Sequence, residues 1–214
     1  MKQAVEVETP DALLQGNLNG PGNPAGIVLF AHGSGSSRFS PRNRYVAEQL
    51  NNAGLATLLF DLLTGEEHHR DQFTAELRFD IGLLSRRLAG AVDWLARQEG
   101  LKALPAGLFG ASTGAAAALA VAAEKPERIA AVVSRGGRPD LAGAALSKVR
   151  APTLLVVGGL DETVLALNRR AAAELAGEQR LEVVPGATHL FEEPGKLEAV
   201  AKLAADWFRH YLTA

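Results

Sequence analysis

Gly110-Ala111-Ser112-Thr113-Gly114 follows the apolar pair Leu108-Phe109 and precedes the alanine-rich run Ala115-Ala116-Ala117-Ala118-Leu119-Ala120. This reads as a strand, a sharp turn and a helix. A turn this tight needs small residues two positions before and after its centre, because side chains there would strike the neighbouring strand and helix. Such a turn lifts the Ser112 hydroxyl above the sheet at a helix N-terminus. There the free N–H groups and the helix dipole favour developing negative charge.

Working outward, Gly26-Ile27-Val28-Leu29-Phe30-Ala31 and Ala56–Phe60 are unbroken apolar runs, as expected for strands covered on both faces. Leu104–Phe109, Ile129–Val133, Pro152–Val157 and Leu181–Val184 continue the series, with Ala4–Glu8 and Leu13–Leu18 as outer strands. Helical patterns run from Pro41 to about Ala53, Phe73 to about Arg97, Ser112 to Lys125, Val164 to Leu175 and Leu197 to Leu212, with a short one over Leu141–Ser147. Thr64 to Asp71 is polar and reads as an exposed loop. Alternation of buried strands and helices predicts an α/β fold: a mostly parallel sheet of about eight strands flanked by helices. No linker, repeat or composition break divides residues 1–214, so one domain is expected.

The 214 residues carry 22 basic and 24 acidic side chains, a net charge of -2. This mixture offers no footprint for nucleic acid or an anionic membrane. There is no cysteine, which excludes disulfides, thiolate nucleophiles and cysteine-based zinc sites. The N-terminal residues lack the apolar segment of a secretory leader, and no apolar run is long enough to span a bilayer. A cytoplasmic location is the expectation.

Ligands of such sheets bind beyond the carboxyl ends of the strands. His32–Ser34, Asp61, Ser112, Ser134 with Arg135, Asp161 and His189 lie there. Among them Ser112, Asp161 and His189 occur in the chain order serine, acid, histidine. A serine hydroxyl needs a base to take its proton, an imidazole titrates near neutrality, and a carboxylate fixes the ring's tautomer. The N–H groups of Thr113 and Ser34 are the expected donors to a tetrahedral oxyanion.

His32-Gly33-Ser34-Gly35-Ser36-Ser37, the Ser112 turn, Gly159-Leu160-Asp161-Glu162-Thr163-Val164 and Gly186-Ala187-Thr188-His189 together resemble the α/β-hydrolases, and within them the dienelactone-hydrolase-like group of small lidless serine hydrolases. Arg78-Phe79-Asp80-Ile81 resembles the same group. The likeness covers nearly the whole chain. It implies a serine hydrolase acting on a small-molecule ester through an acyl-enzyme, with no cofactor and no metal. The name-giving members carry a cysteine nucleophile; the serine here favours ordinary ester hydrolysis over their lactone. Only Ser134 to Ala151 separates two strands where larger members insert a cap, too few residues for a helical lid. Acyl transfer or perhydrolysis on the same scaffold, and an inactive ligand-binding module, are the competing functions.

The rivals for individual residues are plain. Ser112 as a mere helix cap and His189 as a surface histidine are the bland readings. Asp140, then Glu162, compete with Asp161 for the acid. His32 is expected to brace its turn through backbone bonds, and with Gly33 and Arg135 it is also a candidate substrate-binding residue. Arg135 and Arg138 either hold an anionic part of the substrate or pair with nearby carboxylates. Arg78 and Asp80 look like an internal ion pair. His68-His69 among Glu66, Glu67 and Asp71 reads as a solvated charged loop rather than a metal site.

Overall fold

A computed structural model describes residues 1–213. Eight strands form the central sheet: β1 (Lys2–Thr9), β2 (Ala12–Asn19), β3 (Ile27–Ala31), β4 (Ala56–Phe60), β5 (Ala106–Ala111), β6 (Ile129–Arg135), β7 (Thr153–Gly158) and β8 (Gln179–Val184). Their order is β1-β2-β4-β3-β5-β6-β7-β8. The β1–β2 and β2–β4 pairings are antiparallel, and every pairing from β4 to β8 is parallel. Strands β3, β4, β5 and β7 are buried along their whole length, which is why they read as continuous apolar runs.

Helices cover both faces. On one face α1 (Pro41–Asn52) and α6 (Lys196–Leu212) enclose a cluster that includes Phe30, Phe109, Leu154, Phe191 and Phe208. On the other, α3 (Ile81–Leu95) and α4 (Thr113–Glu124) pack on Leu29, Leu58, Leu108 and Val132. Helix α5 (Glu162–Glu174) follows β7. The small residues around Ser112 matter at two points. A Cβ at Gly110 would lie 2.4 Å from Ala115 Cα, and one at Gly114 would lie 2.2 Å from the Ala31 carbonyl oxygen. Either would push α4 off the sheet.

Three expectations are corrected. Residues Gly65–Thr74 form a helix, α2, where a loop was expected. Its start is a reciprocal cap: Thr64 N–H donates to Glu67 Oε2 (2.8 Å), and Glu67 N–H donates to Thr64 Oγ1 (3.2 Å). The helix expected over Phe73–Arg97 is interrupted. Ala75 turns left-handed (φ 56°), a 3-10 turn spans Leu77–Phe79, and α3 begins only after Asp80, which accepts from Leu83 N–H at 2.9 Å. Arg78 does not pair with Asp80. Its Nε sits 2.6 Å from Asp71 Oδ2, and Asp71 also accepts from Leu77 N–H at 2.7 Å. Between β6 and β7 the chain makes only a short 3-10 segment, Pro139–Lys148, so no cap covers the carboxyl edge there.

Candidate active site

The Ser112 turn stands at the carboxyl end of β5, in the middle of the sheet. Ser112 has φ 51° and ψ -121°, a conformation that costs a non-glycine residue about 1–3 kcal/mol. Its neighbours hold it there. Ser112 N–H donates to the Arg135 carbonyl (3.2 Å), and the Ser112 carbonyl accepts from Arg138 N–H (3.0 Å) and Ala115 N–H (3.1 Å). The side chain is partly exposed at the first turn of α4.

The loop after β3 lies directly alongside. A Cβ on Gly33 would be 3.2 Å from Ser112 Cβ. Among the described residues, the backbone N–H groups of Ser34 and Thr113 donate to no protein acceptor. His32 is 7% exposed, and both ring nitrogens are engaged: Nδ1 lies 3.0 Å from the Gly33 carbonyl and Nε2 accepts from Leu62 N–H at 3.0 Å. Burial pushes its imidazole below the ordinary histidine range, against the opposing pull of the Gly33 carbonyl. His32 therefore has no nitrogen left for a substrate. It braces the loop through backbone bonds, the role its place in the turn suggests.

On the far side of Ser112, the loop after β8 brings His189 to Asp161 at the end of β7. His189 Nδ1 is 2.6 Å from Asp161 Oδ2. The carboxylate can only accept, so Nδ1 carries the proton and Nε2 is left with a free lone pair. Loop bonds fix both partners. Leu160 N–H donates to the Ala187 carbonyl (3.0 Å), and Thr188 donates through N–H (3.1 Å) and hydroxyl (2.5 Å) to Glu193 Oε1. A Cβ on Gly136 would lie 3.5 Å from His189 Nδ1 and Cε1. Gly136 directly follows Arg135, whose carbonyl binds Ser112 N–H, so ring and serine flank the same strand end. Ser112 Oγ and the ring are not hydrogen-bonded to each other among the described residues. Asp140, the rival acid, is held instead by Arg138 at 2.9 and 2.7 Å. Glu162 opens helix α5.

Arg135 is 7% exposed and forms no ion pair or side-chain hydrogen bond among the described residues; its Nη1 is buried without a partner. Arg42, in the first turn of α1, lies 2.8 Å from Glu192, three residues after His189, and its own Nε is buried and unpartnered. Nothing in the sequence pattern singled out Arg42. His68 and His69 lie on α2, and His69 meets the Phe73 ring edge-on. Among the described residues, no helix is long and apolar enough to cross a membrane.

The profile of the dienelactone hydrolase family matches residues 14–213. A Mycobacterium tuberculosis protein, provisionally named a phosphoribosyl transferase, is 59% identical over 210 residues. That match takes in 98% of this chain but 46% of the relative, so the chain spans about half the relative's length. The crystal structure of a dienelactone hydrolase from Anabaena variabilis shares 60% identity at a TM-score of 0.97, over 99% of this chain and 98% of that one. Est1E from Butyrivibrio proteoclasticus shares the fold, with 16% identity and a TM-score of 0.82 over 99% of both chains. The chain belongs to the dienelactone hydrolase family and has its α/β-hydrolase fold.

Proposed function

We propose that the protein hydrolyses small carboxylic esters through an acyl-enzyme on Ser112. The observation that carries this is the 2.6 Å Asp161–His189 contact beside the strained serine turn, with Nε2 of the ring left free. In this reading His189 takes the Ser112 proton as the hydroxyl attacks the ester carbonyl. Asp161 holds the ring's tautomer and stabilises the imidazolium. The amides of Ser34 and Thr113 receive the oxyanion. His189 returns the proton to the departing alcohol, and a water molecule then repeats the cycle on the acyl group. No cofactor takes part in this scheme.

The uncapped carboxyl edge suits small, weakly selected acyl groups. Lactones belong in the substrate panel because the 60%-identical Anabaena protein bears that name. The transferase name belongs to a relative more than twice this chain's length and is not carried over. The test is turnover of p-nitrophenyl esters of graded acyl length, with Ser112→Ala as blank. Wild-type turnover that vanishes in the variant supports the proposal; equal rates would remove Ser112 from the mechanism. Added alcohol or peroxide, with product analysis, separates hydrolysis from acyl transfer.

A further inference from the structure

Arg135 is a buried cation without an anion. The residue is 7% exposed, its Nη1 is buried without a partner, and no carboxylate lies within ion-pair distance among the described residues. Its Cζ lies 6.0 Å from the Phe109 ring centroid, a contact that offers little charge compensation. A buried charge left in this way is costly, and natural sites pair such groups or present them to a ligand. A second cation, Arg42, reaches the same rim: it pairs with Glu192, three residues beyond His189, and its buried Nε also lacks an acceptor. Arg42 enters from the N-terminal turn of α1, a 12-residue helix whose dipole adds positive potential at that end. Its one acidic partner among the described residues is Glu192, with a side chain 62% exposed, so the two arginines outweigh it by one positive charge. The position is informative too. The Arg135 carbonyl binds Ser112 N–H, and the next residue, Gly136, abuts the His189 ring.

We propose that Arg135 and Arg42 form a subsite for a phosphate group carried on the ester substrate. Two guanidiniums, one on α1 and one on β6, supply two positive charges and several N–H donors. A phosphate, with three free oxygens and more than one negative charge, meets both better than a planar carboxylate does. The proposal rests on the ester-hydrolase reading of the same rim and adds the class of substrate.

Two measurements on the full chain test it. In the first, acetate release is compared for 1-acetylglycerol 3-phosphate, neutral 1-acetylglycerol and the acetyl ester of glycerate. The phosphate ester is expected to be favoured by roughly tenfold or more in kcat/KM, chiefly through KM. That preference collapses in Arg135→Gln and shrinks severalfold in Arg42→Gln, where the altered side chain lies nearer the surface. No preference in the wild type, a preference for the glycerate ester, or an undiminished preference in both variants overturns the assignment.

The second measurement is thermal melting with and without inorganic phosphate, which needs no turnover. Phosphate is expected to raise the melting temperature of the wild type and not of Arg135→Gln, or of Arg42→Gln should the first variant fail to fold. A protein that binds phosphate through these arginines yet cleaves no ester sinks the hydrolase reading and keeps the site. An active esterase indifferent to phosphate does the reverse.

Discussion

Two loops at the carboxyl edge of the sheet each present a histidine, and they treat it in opposite ways. In the β3–α1 loop, His32 is buried and spends both nitrogens on backbone groups, the Gly33 carbonyl and Leu62 N–H. In the β8–α6 loop, the His189 side chain is 39% exposed and spends one nitrogen on Asp161. The residue type is the same and both loops leave the same edge of the sheet. What separates a brace from a candidate base is the fate of the second nitrogen. A ring with both nitrogens committed cannot move a proton without breaking its own loop.

The comparison can be broken at several points. The largest effect is expected from His189→Gln, with ester turnover falling by about four orders of magnitude or more and the melting temperature little changed. Asp161→Asn should cost about three to four orders, since the amide no longer holds the imidazole in the needed tautomer. Steady-state kinetics on a p-nitrophenyl ester reads both. If His32→Gln matched the His189 loss without destabilisation, the two roles would be wrongly assigned.

His32→Gln should instead register in stability. Leaving Leu62 N–H without its acceptor in a buried site costs about 1–3 kcal/mol, measured by denaturant unfolding. The pH dependence has a definite sign. Burial holds folded His32 below its ordinary range, so the unfolded chain takes up the proton first as pH falls. The stabilising contribution of His32 is full above about pH 6.5 and is lost progressively below it. Melting temperatures from pH 8 to 5 should therefore fall less steeply in His32→Gln than in the wild type; parallel curves would contradict the brace. The smallest effect is expected for Asp140→Asn. Its pair with Arg138 is partly solvated, worth about 0–1 kcal/mol, and turnover should not follow the Asp161 variant.

The sheet and the serine turn were legible because their constraints are steric and local. Four unbroken apolar strands admit few alternatives, and glycine at 110 and 114 marks where backbones touch. Helix α2 was hidden by its composition. It is held mainly by polar anchors rather than an apolar stripe: Glu67 takes both the Thr64 amide and two bonds from buried Arg87 (2.8 and 3.1 Å). The Thr64-to-Glu67 capping spacing was the available signal. Arg78 found Asp71 rather than Asp80 because the left-handed turn at Ala75 folds the chain back, which no periodicity reveals. Asp140 and Asp161 both follow strands, and only their folded partners distinguish them: Arg138 holds Asp140 and His189 meets Asp161. Arg135 was a site candidate from its place at a strand end, but its burial without a partner emerges only in the folded chain.

The central claim is that the free nitrogen of His189 activates Ser112. Labelling with a fluorophosphonate, followed by peptide mass analysis, tests it most directly. The account predicts one adduct on the peptide containing Ser112, absent in Ser112→Ala and formed far more slowly in His189→Gln. An adduct on another residue, or labelling of Ser112 at the same rate without His189, would contradict it.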